Sequence, residues 1–153
     1  MITIRRVGVE QKELVFDLVL KLLMELEGGT EFEGIDRERV LGELSKYDER
    51  FNAFLAETPE GRIVGISTLV ETIAIYAGGS YGIIDEMYVD PEFRSRGVGR
   101  LLIEAIKEFG QQKNWLRIDV TAPPEEEWNR TVRFYEREGF VFTGPKMRFK
   151  LRH

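Results

Sequence analysis

Apolar positions along the 153 residues follow two rhythms, one of about 3.6 residues and one of two, and the rhythms alternate. Residues 2–7 read as a short strand. From Val9, Leu14, Val15, Leu18, Leu22 and Leu26 recur at helical spacing, and Gly28-Gly29 predicts the stop. After a polar stretch from Thr30 to Gly34, Asp36 caps a predicted helix reaching about Tyr47, with Val40, Leu41 and Leu44 apolar. Residues 52–57 read as a strand and Thr58-Pro59-Glu60-Gly61 as a turn. A long β-branched strand over 62–77 follows, and Gly78-Gly79 turns it into another over 81–89. Gly97 opens a helix bearing Leu101, Leu102, Ala105, Ile106 and Phe109. Residues 116–121 predict a buried strand broken by Pro123-Pro124, and 128–138 a short amphipathic helix ended by Gly139. Residues 140–143 and 146–151 predict a last hairpin around Gly144-Pro145. The order βααβββαβαββ, without repeat, linker or low-complexity segment, predicts one α/β domain over 1–153. Its central sheet is mixed and mostly antiparallel, with flanking helices.

Composition then narrows the chemistry. Lys and Arg number 22 against 27 Asp and Glu, a net charge of −5. An acidic chain with no long basic run argues against general nucleic-acid binding. The absence of cysteine removes disulfides, thiolate metal sites and a Cys nucleophile. The one histidine is His153, so a His-based triad or a two-His zinc site is excluded, and no metal is expected. The first residues meet Arg5 and Arg6 without an apolar signal core, and Lys21 interrupts the longest apolar stretch. A soluble, cytoplasmic protein with no membrane partner is expected.

The informative segment is Met87-Tyr88-Val89-Asp90-Pro91-Glu92-Phe93-Arg94-Ser95-Arg96-Gly97-Val98-Gly99-Arg100. Three arginines crowd the start of a helix, where the helix dipole disfavours each cation by a few tenths to ~1 kcal/mol. An anionic ligand offsets that arrangement. Gly97 and Gly99 let backbone N–H groups approach phosphate oxygens closely. A dinucleotide fingerprint would need glycine where Leu102 stands, and a Walker loop would need Gly-Lys-Ser/Thr, which is absent. The plain alternative is a helix that begins with turn glycines and solvated arginines.

Arg-Ser-Arg-Gly-Val-Gly resembles the Arg/Gln-x-x-Gly-x-Gly/Ala signature of the GNAT superfamily of N-acetyltransferases. Met-Tyr-Val-Asp-Pro-Glu-Phe is similar to that family's exit from strand four. About 40 residues on, Phe134-Tyr135-Glu136-Arg137-Glu138-Gly139-Phe140 resembles its other recurrent piece. The element order agrees over essentially the whole chain. The resemblance implies splayed fourth and fifth strands, with the pantetheine of acetyl-CoA in the gap against Met87, Tyr88 and Val89. It implies a pyrophosphate cradle of Arg94, Ser95, Arg96, Gly97, Val98, Gly99 and Arg100. It also implies an amine acceptor and, at family level, a homodimer. The family often carries an asparagine at the position of Trp128. Asn129 follows one residue later, ~100° around the helix, and a local shift would deliver it to the cofactor.

Without Cys or a usable His, and with Ser67, Ser80 and Ser95 lacking an evident base, direct attack of the amine in a ternary complex is the expected route. A backbone N–H near Met87 suits the oxyanion. Tyr135 matches the family's tyrosine; a phenol of pKa ~10 stays protonated at neutral pH and can serve a thiolate of pKa ~8.5. The alternative is a core tyrosine. Glu86, then Asp85, are the candidate bases; adjacent strand residues face opposite ways unless a bulge intervenes. A strand-end pair bound to loops is the alternative for them. Glu25, Glu27, Glu31, Glu33 and Asp36, and the run from Glu125 to Glu127, would attract a cationic amine or simply be solvated. Two functions stay open: an acetyl-CoA-dependent N-acetyltransferase acting on a primary amine (polyamine, aminoglycoside-like or protein amine), and a non-catalytic acyl-CoA-binding module.

Overall fold

The computed structural model describes residues 1–27, 34–121, 128–144 and 146–151. The expected stop at Gly28-Gly29, Glu31 and Glu33, the break at Pro123-Pro124, the acidic run 125–127, Pro145 and His153 lie outside them. So do the side chains of Leu22, Glu25, Leu26, Glu27, Trp128 and Asn129. Two compact units make up the chain, Met1–Asp119 and Val120–His153.

In the first unit, β1 (Thr3–Val7) leads through a 3₁₀ turn into α1 (Lys12–Glu27). Then come α2 (Arg37–Ser45), β2 (Phe51–Glu57), β3 (Ile63–Ala74), β4 (Gly79–Val89) and α3 (Val98–Gln112). β5 (Ile118–Val120) reaches the second unit, which holds α4 (Trp128–Arg137). The sheet order is β1-β2-β3-β4-β5, with the first three pairings antiparallel and β5 parallel to β4. As the pattern predicts, Asp36 caps α2 by accepting from the Arg39 N–H at 3.1 Å.

Pleating sorts the side chains onto two faces. On one, Val7, Phe51, Ala53, Leu55 and Ile66 pack with Val15, Leu18 and Leu44 of α1 and α2. On the other, α3 sets buried Val98, Leu102, Ile103 and Ile106 against the sheet. Phe109 meets Phe54 edge-on at 5.9 Å and Trp115 at 5.6 Å. Gly82 is required here by close approach, since a Cβ would lie 2.4 Å from the Trp115 ring. Among the described residues no helix is long and apolar enough to cross a membrane.

Three expectations need correction. β3 ends at Ala74 rather than residue 77, because Ala77 and Gly78 donate to the Ala74 and Ile75 carbonyls (3.2 and 3.0 Å) and close a turn that leaves Ile75 fully exposed. β5 is three residues, and Leu116 is exposed; the Trp115 N–H bonds back to the Gly110 carbonyl at 3.0 Å, so 115–117 belong to the connection. The last hairpin does not form: residues 140–144 and 146–151 carry no strand, and Val141, Met147, Phe149 and Leu151 are exposed. Their alternation is right for a strand, but a two-stranded ribbon is marginal in water without further partners.

Candidate active site

The pairing of β3 with β4 shifts between Thr68 and Leu69: Thr68 faces Glu86, and the next residue, Leu69, faces Ile84. Asp85 is therefore the extra residue of a β-bulge, and it is exposed. At the bulge, side chains of β3 bond the Glu86 backbone. The Glu86 N–H donates to Thr68 Oγ1 at 3.1 Å, and Ser67 Oγ donates to the Glu86 carbonyl at 2.9 Å. The Thr68 hydroxyl in turn donates to Glu86 Oε1.

This fixes where the following backbone groups point. Successive residues of a strand present their N–H and C=O to opposite edges. Those of Glu86 face β3, and the Asp90 N–H bonds to the Val64 carbonyl at 2.8 Å, so Met87 and Val89 face the outer edge. Before the bulge the even residues face outward, as the bond from the Gly82 N–H to the Arg117 carbonyl at 3.4 Å attests. The bulge switches the parity. β4 is eleven residues long and β5 three, so β4 runs on past the length that β5 matches.

Beyond β4, Asp90 accepts from the Glu92 N–H at 2.9 Å and starts a 3₁₀ turn over Pro91–Phe93. Ser95 then takes φ 67°, in the left-handed region that costs a non-glycine residue of order 1–3 kcal/mol. Gly97 takes φ 80° as N-cap of α3, with no side-chain cap. The Leu101 N–H is bonded to the Gly97 carbonyl at 3.0 Å, so the amides of Val98, Gly99 and Arg100 have no intrahelical partner. The buried Val98 side chain anchors this turn to the core. Arg94, Ser95, Arg96 and Arg100 are exposed; Arg94 Nε donates to the Val89 carbonyl at 3.3 Å and Arg100 pairs with Glu104 at 3.0 Å.

Arg62, at the mouth of β3, was not singled out by sequence. It pairs with Asp90 at 2.7 Å and Glu92 at 3.5 Å, and its guanidinium and that of Arg96 lie over the Phe93 ring at 5.4 and 5.2 Å. Thr68 was missed as well, and Ser67 was weighed only as a nucleophile, since nothing marks either as a partner of Glu86 in a β-branched strand.

The two carboxylates differ. Burial pushes the Glu86 carboxyl above its usual range; the Thr68 hydrogen bond opposes this and the charge of Asp85 adds to it. The Tyr88 side chain packs on the α1 side of the core, and its place in the ladder is opposite Ile66. In the second unit, Tyr135 is buried on α4 between Phe134 and Phe140, with ring centroids at 5.2 and 5.5 Å. The Phe140 N–H returns to the Tyr135 carbonyl at 2.9 Å, which closes the helix end at Gly139. Burial raises the phenol to about 12. Asn129 lies on the backbone of α4. Among the described residues no three His, Cys, Asp or Glu side chains gather to hold a metal ion.

The family model described as acetyltransferase (GNAT) domain matches residues 49–142, which take in the bulge, the arginine loop and Tyr135. The chain belongs to the GNAT acetyltransferase family. A glucosamine 6-phosphate N-acetyltransferase of Trypanosoma brucei brucei is 31% identical over 94 residues, and the match spans 61% of this chain and 60% of that protein. Among solved structures, an aminoglycoside acetyltransferase from an uncultured soil metagenomic sample, in complex with sisomicin, superposes with a TM-score of 0.77 at 20% identity. That match covers 99% of this chain and 96% of the other. An aminoglycoside N-acetyltransferase in complex with CoA gives 0.74 at 19% identity, covering 100% and 96%. At these identities the likeness is one of fold.

The GNAT loop in this chain fits a phosphate-bearing cofactor. Its donor set is guanidinium and amide N–H, the two carboxylates beside it are paired with Arg62, and a Cβ built on Gly97 would have no atom within 4 Å. Phosphate oxygens could therefore approach the bare backbone.

Proposed function

We propose that the whole chain acts as one acetyl-CoA-dependent N-acetyltransferase domain that acetylates a primary amine by direct attack in a ternary complex. The observation that carries this reading is the cationic, uncapped start of α3 directly after a bulged strand that turns Met87 and Val89 outward. Acetyl-CoA, when bound, supplies an activated thioester acyl group. Arg94, Arg96 and Arg100, with the amides from Gly97 to Arg100, hold its phosphates; Ser95 shapes the loop and Val98 pins it. The Met87 and Val89 backbone lines up its pantetheine, with Tyr88 securing the strand between them.

The Met87 N–H donates to the oxygen on which negative charge develops. Glu86 draws the proton from the amine, directly or through water, and its raised pKa moves it toward a useful base. Exposed Asp85 is the second acceptor for that proton. Tyr135 keeps its proton across the physiological range and offers it to the leaving sulfur. At about 12 the phenol is a weak acid, so a strong hydrogen bond to the developing thiolate is its larger contribution.

Relatives that act on aminoglycosides and on glucosamine 6-phosphate support an amino sugar as acceptor class. The test is a panel of primary amines with free-thiol detection, beside calorimetric titration with CoA. Acetyl-CoA-dependent thiol release with at least one amine is expected. Tight CoA binding with no release on any amine would return the chain to a binding module.

A further inference from the structure

We propose that Thr68 is a positioning residue for the base: its hydroxyl, buried between β3 and β4, fixes the Glu86 carboxylate on the bulge and orients it for proton transfer. The inference rests on Glu86 acting as the base. Thr68 is 2% exposed, and its one hydroxyl serves two atoms of the same residue, accepting from the Glu86 N–H at 3.1 Å and donating to Glu86 Oε1. A hydroxyl has one proton and two lone pairs, so both roles are filled at once. The first bond holds the backbone where the ladder is broken. The second takes one lone pair of Oε1 and locks a flexible side chain in one orientation, leaving Oε2 without a donor among the described residues. Valine has nearly the shape of threonine and can do neither.

Two further observations set this apart from ordinary strand packing. Ser67, the neighbouring hydroxyl, donates to the Glu86 carbonyl at 2.9 Å, so the bulge is held from the adjacent position as well. Bulge geometry can therefore outlast loss of the Thr68 hydroxyl, while carboxylate orientation cannot. The charges around the carboxylate are also simple among the described residues. Asp85 on its own strand acts on it, and β3 offers it neutral hydroxyls.

The test is a double-mutant cycle on the full chain with acetyl-CoA, using sisomicin and spermidine as probe amines. Thr68→Val is expected to lower kcat about tenfold to a hundredfold, the span for one hydrogen bond to a charged group, with the KM for acetyl-CoA little changed. Thr68→Ser retains most of the activity. In a Glu86→Gln background, Thr68→Val costs little more. Equal losses in Thr68→Val and Thr68→Ser, or an undiminished loss in the Glu86→Gln background, would overturn the proposal as mere packing. Wild-type turnover in Glu86→Gln overturns the base assignment and this inference with it. A slow Glu86→Gln beside a fully active Thr68→Val overturns the inference alone. A readout that needs no acceptor is the ¹³C NMR titration of the Glu86 carboxyl. Loss of the donor moves it to higher pH in Thr68→Val and leaves it in place in Thr68→Ser; an unmoved titration in Thr68→Val refutes the contact. Should Thr68→Val fail to fold, Thr68→Ala takes its place in every arm.

Discussion

Replacing Gly97 by alanine separates two ways in which a loop can answer backbone strain. Gly97 sits at φ 80°, ψ 9°, and no atom lies within 4 Å of an added Cβ. Steric collision therefore contributes nothing, and the cost is the local penalty of a left-handed residue, about 1–2 kcal/mol. That penalty has two outlets. If the loop keeps its shape, folding bears it, and Tm falls by about 2–8 °C for a chain of this length, while CoA affinity is nearly kept. If the substituted residue relaxes to negative φ, Tm is nearly kept. The amides of Val98, Gly99 and Arg100 then turn away from their common direction, and CoA affinity falls at least ~5- to 30-fold, the equivalent of the same penalty. Differential scanning calorimetry and isothermal titration with CoA on one preparation measure both. The losses trade against each other. A Gly97→Ala protein with wild-type Tm and wild-type CoA affinity would show that this position does not need the left-handed conformation, and the account of the cradle would fall.

Gly99→Asp abolishes acetyl-CoA binding in a folded protein, because a carboxylate blocks backbone approach and repels phosphate; unchanged affinity by titration calorimetry would contradict the placement. Tyr135→Phe keeps the ring packed against Phe134 and Phe140 but removes the donor, and turnover is expected to drop about tenfold to a hundredfold, the span for one hydrogen bond to a charged group, with little change in CoA affinity. Wild-type turnover there would leave Tyr135 as a core residue. Burial makes folded Glu86 hold its proton more tightly than the unfolded chain does, so its contribution to stability is present below the unfolded carboxyl pKa. It is lost as pH rises through the folded value. Glu86→Gln should therefore gain Tm over wild type between pH 4 and pH 7, and a gap that does not vary with pH would count against the burial argument.

The parts of this protein that could be read from sequence are those written in contiguous residues. The arginine loop is one: three guanidiniums and two glycines within seven positions carry the chemistry by themselves, and Gly97 does cap α3. Asp36 is another, since a cap is decided within one turn. The bulge is different. Asp85 and Glu86 read as alternating neighbours, and what breaks the alternation is a pair of hydroxyls at Ser67 and Thr68, supplied across the sheet. Strand pattern carries no register, so that meeting was invisible. Arg62 was hidden in the same way, 28 residues before the Asp90 it pairs with. The opposite error came at the end of the chain, where 146–151 alternates like a strand; alternation prescribes two faces but cannot supply the ladder.

Arg62 also bears on how quickly an anionic cofactor arrives. The protein carries a net charge of −5, so a polyphosphate meets overall repulsion and a cationic mouth. At an ionic strength of ~0.15 M the Debye length is about 8 Å, and an approaching anion is guided chiefly by charges at the loop itself. In ~0.01 M salt the reach grows to about 30 Å, and carboxylates spread over the whole surface act first. By pairing with Asp90 and Glu92, Arg62 removes two of those carboxylates from the last stretch of the path. Its presence should thus be felt in the association rate constant and in its salt dependence, far more than in the lifetime of the complex once formed.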